Sequence, residues 1–213
     1  MTINGIYVDP RQVFDGVMLG AGGITRFSQQ NFFTLQYEPH YRYEIQVGSV
    51  HTDLLIVMKS VLQEMGIPVS DKYPRQTVKG GKTLCLLMSG ESPALLAEYT
   101  RWYPYGRRQV PLDLEMSPVV LAFWYMMAGS QSWFRILSFS VGKYSPEEAE
   151  LLVEKLRDVS ISSYIKSAMA PALLFGGVLT VRRSINIKEL DSFIKFLSTA
   201  KPYFIKSFRY KIA

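Results

Sequence analysis

One cysteine and two histidines in 213 residues leave almost none of the usual material for disulfide or soft-metal chemistry. Cys85 has no partner for an internal disulfide and lies in an apolar stretch, where a lone cysteine packs as a small hydrophobe. With only His40 and His51 beside it, no zinc site and no HNH-type arrangement can be assembled, and no Ser-His-Asp nucleophile motif is present. Long apolar runs are also missing. Pro118 to Gly129 is too short to span a bilayer, and Ala168 to Val181 is broken by Pro171, Gly176 and Gly177. Asp9 precedes any apolar run, so no export signal is expected. The cysteine usage implies a reducing intracellular compartment, the cytoplasm or an organelle.

What is present is an ordinary globular composition, 48% hydrophobic and 20% charged, long enough for one large domain or two small ones. The net charge of +6 is unevenly distributed. Residues 159 to 213 carry nine Lys or Arg against two acids, whereas the preceding part is close to neutral. A basic C-terminal quarter points toward a polyanion such as nucleic acid.

Two apolar runs read as one helix written twice: FDGVMLGAGGI from Phe14 to Ile24, and PVVLAFWYMMAGS from Pro118 to Ser130. Gly16 and Gly20, four residues apart, share a helix face on which the missing side chains let another helix approach closely. The glycine run from Gly20 to Gly23 follows a helix and lacks a Lys-Ser/Thr pair, so it is no phosphate-binding loop.

The elements after each run come in the same order. Phe32 to Tyr37 and Tyr41 to Val47 read as strands, the second alternating Arg42, Glu44 and Gln46 with Tyr43, Ile45 and Val47. A helix from Val50 to Glu64 is closed by Gly66 and Pro68. Tyr73 to Lys79 and Lys82 to Met88 pair across Gly80-Gly81, and Ser92-Pro93 opens a third helix. In the second half, strand material at Trp133 to Val141 precedes a capping box at Ser145-Pro146-Glu147-Glu148. Strands at Ser162 to Ala168 and Leu173 to Arg183 follow, then a helix capped by Asn186 with Glu189. The fold class is therefore α+β, two pseudo-twofold-related α-β-β-α-β-β-α halves with antiparallel sheets, divided as 1–105 and 106–213.

Residues Tyr103 to Ser130, YPYGRRQVPLDLEMSPVVLAFWYMMAGS, resemble the region of the second motif in single-chain LAGLIDADG homing endonucleases, and Gly16 to Gly22, GVMLGAG, resemble the first. The resemblance extends over nearly the whole chain and implies a monomer. Its two motif helices pack at the centre, and two saddle-shaped antiparallel sheets straddle the major groove of double-stranded DNA at a long asymmetric target. It also implies a base-reading face formed by Gln36, Arg42, Glu44, Gln46, Arg75, Thr77 and Lys79, with Arg135, Lys166, Thr180 and Arg182 as second-half counterparts. Solvated strand faces are equally polar, so each residue alone carries little weight. Aromatics for base stacking are sought in the linker, at Trp102, Tyr103 and Tyr105.

In the family, the acid before the last glycine of each motif binds divalent metal beside the scissile phosphates, since Mg²⁺ requires oxygen ligands. Here those positions are Ala21 and Ala128, and Met127 replaces an acid common in second motifs. Mg²⁺ is expected only if acids stood at 21 and 128. Asp15, six residues before Ala21, is explained by the dipole at a helix N-terminus, and Asp113 and Glu115 fall near the opposite end of the second helix. Arg108 and Lys211 match positions where the family has basic residues flanking the metals; Lys211 is the better proton-transfer candidate because arginine stays protonated. Three readings share this frame: a long-site DNA binder derived from an endonuclease, a group I intron maturase acting on RNA, and a repressor-like DNA-binding protein.

Overall fold

Four of the helices begin on the same chemistry, a short polar side chain followed by proline. Asp9, Ser92, Ser117 and Ser145 accept hydrogen bonds from the backbone N–H groups of Arg11, Ala94, Val120 and Glu148, at 2.9, 3.2, 3.2 and 3.2 Å. In each case proline supplies the first helical residue, where a missing N–H costs nothing.

The computed structural model describes residues 1–29, 40–49, 51–79, 82–131, 137–169, 181–187 and 190–208. A small hairpin, β1 (Thr2–Ile3) and β2 (Ile6–Tyr7), precedes two similar halves. The first runs α1 (Pro10–Leu19), β3 (Gly23–Gln29), β4 (His40–Ser49), α2 (Thr52–Glu64), β5 (Arg75–Lys79), β6 (Lys82–Met88) and α3 (Pro93–Trp102). The second runs α4 (Pro118–Ala128), β7 (Gly129–Gln131), β8 (Leu137–Ser140), α5 (Pro146–Asp158), β9 (Ser163–Met169), β10 (Val181–Ile187) and α6 (Leu190–Ala200). The two antiparallel four-stranded sheets have equivalent orders, β3-β4-β6-β5 and β7-β8-β10-β9. The α-β-β-α-β-β-α repeat and the α+β class are thus as expected. No helix among the described residues is long and apolar enough to cross a membrane.

Period-two burial fixes which face of each sheet meets the helices. Ile45 and Val47 of β4, Cys85 and Leu87 of β6, Leu137 and Phe139 of β8, and Ile185 and Ile187 of β10 are buried. Helix α4 is apolar around its whole circumference, as a helix at the centre of a molecule must be, and Val119 through Met126 are all buried. Around it, Tyr125 meets the rings of Phe139, Phe196 and Phe204 edge-on at 5.3–5.9 Å. The segment following α6 turns back onto the first half. There the Asn4 amide donates to the carbonyls of Pro202 and Phe204, Ser207 Oγ donates to Asp53 at 2.7 Å, and Phe208 packs on His51.

Several expectations are corrected. The first motif helix starts earlier and stops at Leu19; Gly23 and Ile24 already belong to β3, because the glycines end the helix and the chain turns straight into the sheet. Likewise β7 starts at Gly129, directly after α4. Asn186 caps no helix; it lies in β10, buried, accepting from Ser184 Oγ and donating to the Tyr164 hydroxyl. The capping box at Ser145 is not reciprocal, since Glu148 accepts from the Val110 N–H of the linker at 2.6 Å. The strand expected at 32–37, the Gly80-Gly81 turn, Glu189, the start of the Trp133 strand and residues 173–180 lie outside the described residues.

Candidate nucleic-acid interface

Helices α1 and α4 pack so closely that a Cβ on Gly16 would lie 2.6 Å from Phe123 Cβ and 2.7 Å from the Val120 carbonyl oxygen. A Cβ on Gly20 would overlap Met127 Cβ. Ala21 and Ala128 each follow one member of that Gly20–Met127 contact, at the point where helix gives way to strand. Ala21 is exposed and Ala128 half-buried. The alanines therefore occupy equivalent places at the C-terminal ends of the packed motif helices.

Basic groups gather behind this end of α1. Arg108 Nη1 donates to the Gly22 carbonyl at 2.6 Å, and its guanidinium lies 5.7 Å from the Trp102 ring and 5.5 Å from the Tyr144 ring. Lys143 Nζ donates to the Met18 carbonyl at 3.3 Å, and Tyr144 OH donates to the carbonyls of Met18 and Leu19. Lys143 and Tyr144 satisfy acceptors that the end of a helix leaves open, and Arg108 one in the turn just beyond it. The stem of Lys143 is exposed, but its ammonium is turned inward; loss of water and the nearby Arg108 push its pKa down to about 6. Burial pushes the Tyr144 phenol up to about 12. Arg108 thus ties the linker to the first motif beside Ala21. Lys211 lies outside the described residues. Neither Lys143 nor Tyr144 stands in a recognisable motif, and only the packing of the turn between β8 and α5 against the end of α1 gives them this position.

Asp15 is not explained by the helix dipole. It lies beyond the first turn of α1 and is buried, held by a bidentate pair with Arg101 at 2.5 and 3.0 Å. Arg101 Nε donates to both oxygens of Asp113, and its Nη1 meets Glu98 at 3.4 Å. Burial outweighs the arginines and raises the carboxyls of Asp15 and Glu98 above their usual range.

The ladders align the faces expected to read bases. In the first sheet, Gln46 stands between Gly23 and Met88; Leu86 stands between Gly48 and Arg75. On the same side Thr25 faces Glu44, Phe27 faces Arg42, Leu84 faces Thr77 and Lys82 faces Lys79. The register thus brings Arg42, Glu44, Gln46, Arg75, Thr77 and Lys79 to one face, but Leu84, Leu86 and Met88 stand among them, half-exposed. In the second sheet, one rung runs Ser130–Ser138–Asn186–Tyr164 and the next Ser140–Ser184–Lys166, with Arg182 opposite Ala168. Ser130 and Ser138 share a hydrogen bond of 2.8 Å. Thr25 and Ser130 are obscured in the sequence because their strands start inside the apolar motif runs. Gln36, Arg135 and Thr180 lie outside the described residues.

An open cleft of about 590 Å³ lies between the first motif turn and this face, bordered by Ala21, Gly23, Thr25, Gln46, Leu86 and Tyr103. Among the described residues, no charged side chain borders it. The linker aromatics differ in exposure. Trp102 is fully buried, and Tyr103 stacks on Tyr99 while its hydroxyl accepts from the Ile24 N–H; Tyr105 is exposed.

The described residues do not fit a catalytic divalent cation. The two motif ends offer methyl groups and the adjoining cleft is uncharged. No group of three or more His, Cys, Asp or Glu among the described residues is placed to hold a metal ion, and Asp15 is already committed to Arg101.

Similarity to known proteins is consistent with this layout. An uncharacterised protein of Methanocaldococcus jannaschii, MJ1098, is 26% identical over 99% of this chain and 76% of its own length. The homing endonuclease I-WcaI, solved bound to its DNA recognition sequence, superposes with a TM-score of 0.65 at 14% identity, over 96% of this chain and 85% of that one. I-DmoI, solved in complex with DNA and Mn, superposes with a TM-score of 0.56 at 14% identity, over 90% of this chain and 96% of that one. Residues 11–179 match the profile of the LAGLIDADG DNA endonuclease family, and with two motif helices packed face to face between equivalent sheets, the chain belongs to that family.

Proposed function

We propose that this protein binds double-stranded DNA sequence-specifically, as a monomer on a long asymmetric site, and that it does not cleave that site with Mg²⁺. Residues 1–105 and 106–213 each take half of the site. The observation that carries the reading is the pairing of two equivalent sheets, each with a register-aligned exposed face, around motif helices that both end on alanine. Strands at this spacing place alternate side chains against base edges, and the differing faces suit an asymmetric target. The lost acids remove the means of holding a metal beside a phosphate, so binding survives where hydrolysis does not.

The test is selection from a random duplex library with structured intron RNA as competitor, followed by incubation of the selected duplex with Mg²⁺. The expected result is one long asymmetric consensus, bound by a monomer and left uncut. Ala21→Asp with Ala128→Asp should gain Mg²⁺ binding by calorimetry and a staggered cut, whereas Ala21→Asp alone restores little double-strand cleavage. Efficient cutting by the unaltered chain overturns the reading, and preference for the RNA replaces it with that of a maturase.

A further inference from the structure

The uncharged cleft beside Ala21 stands out on the surface of a basic protein, and its chemistry is selective. Gln46 is open on two sides, because Gly23 stands opposite it and Gly48 follows two residues later on the same face. Neither glycine is forced by crowding: a Cβ on Gly48 would meet nothing nearer than 4.0 Å, and one on Gly23 nothing nearer than 3.8 Å. Their effect is to leave room around the amide. Next to it Leu84 and Leu86 expose apolar surface on the same face, with Thr77 opposite Leu84.

We propose that this cleft reads an A·T base pair next to the centre of the target, with the Gln46 amide on adenine and Leu84 and Leu86 against the thymine methyl. The inference rests on the duplex-binding reading above. Glutamine offers one donor and one acceptor in a plane, which matches adenine N6 and N7. Guanine shows two acceptors there and calls for Arg or Lys, and neither is among the described side chains that border the cleft, Arg75 lying across the ladder from Leu86. The C5 methyl of thymine is the one apolar group that the base edges show in the major groove, and two leucines are suited to cover it.

The experiment uses the full chain and its selected duplex, with each thymine replaced in turn by deoxyuridine, which removes only the methyl. One or two replacements near the centre should weaken binding about fourfold, the worth of one buried methyl. Leu86→Asn or Leu84→Asn should bind the thymine and uracil duplexes equally while keeping the rest of the consensus. Gln46→Ala should relax that base pair alone. An unchanged salt slope in each variant shows that the fold and phosphate contacts are intact. If no replacement matters, or the effect persists in both leucine variants, this inference is wrong while the DNA-binding reading stands. If the chain selects no duplex, both fall.

Discussion

Arg101 holds two buried carboxylates, Asp15 and Glu98, and an exposed third, Asp113, with one guanidinium; Arg11 assists at 3.5 Å from Glu98. Removing the shared cation from such a network costs far more than the pairs contribute, about 3–5 kcal/mol, because the acids remain where water cannot reach them. Arg101→Ala should therefore lower the urea midpoint strongly at pH 7. Both carboxyls already titrate above their usual range, and losing Arg101 raises them further. Such acids bind more protons folded than unfolded, so the variant's deficit should shrink as pH falls toward 5 and grow as it rises. Lys143 has the opposite sign. With its pKa near 6 folded against an ordinary 10.5, the folded state binds fewer protons between those values, so stability should climb from pH 6 toward pH 10. Lys143→Met should flatten that climb, as denaturation curves at pH 7 and 9 would show.

Helix packing turns on whether two glycines can be replaced. Alanine is the better helix former by about 1 kcal/mol, yet at Gly16 its methyl would press on the backbone of α4 as well as on Phe123. Overpacking of this kind costs about 1–3 kcal/mol, so Gly16→Ala should give a net loss in thermal stability; a gain would show that α1 and α4 can shift apart freely. The closeness was legible in the spacing of Gly16 and Gly20, and three helix starts were legible in Ser-Pro pairs. The start of α1 had the same signature in Asp9-Pro10, but the apolar run after it drew attention away. Strands β3 and β7 were hidden because they begin on the motif glycines Gly23 and Gly129, which read in the sequence as the ends of helices. Asn186 misled because side chains that cap helices also serve strands that need a buried hydrogen-bonding partner. The equivalence of Ala21 and Ala128 was plain from the motifs alone; the Arg108, Lys143 and Tyr144 cluster was not, since its members come together only by tertiary packing.

A duplex laid along both sheets releases counterions at every phosphate contacted, so log affinity should fall with log salt by about 0.9 per phosphate, a slope readable from titrations between 50 and 200 mM salt. A flat response would argue against the duplex as ligand. The return of the 201–208 segment onto the first half bears on the chain as a set of exchangeable parts. The linker from 103 to 111 looks like the natural place to join the front of this protein to the back of a relative. A chimera joined there would bring a foreign tail to Asn4, Asp53 and His51, and those three side chains hold residues 202 to 208 through two hydrogen-bonded clasps and a ring contact. A half that is to be traded intact therefore has two pieces, and the last of them is written at the far end of the sequence.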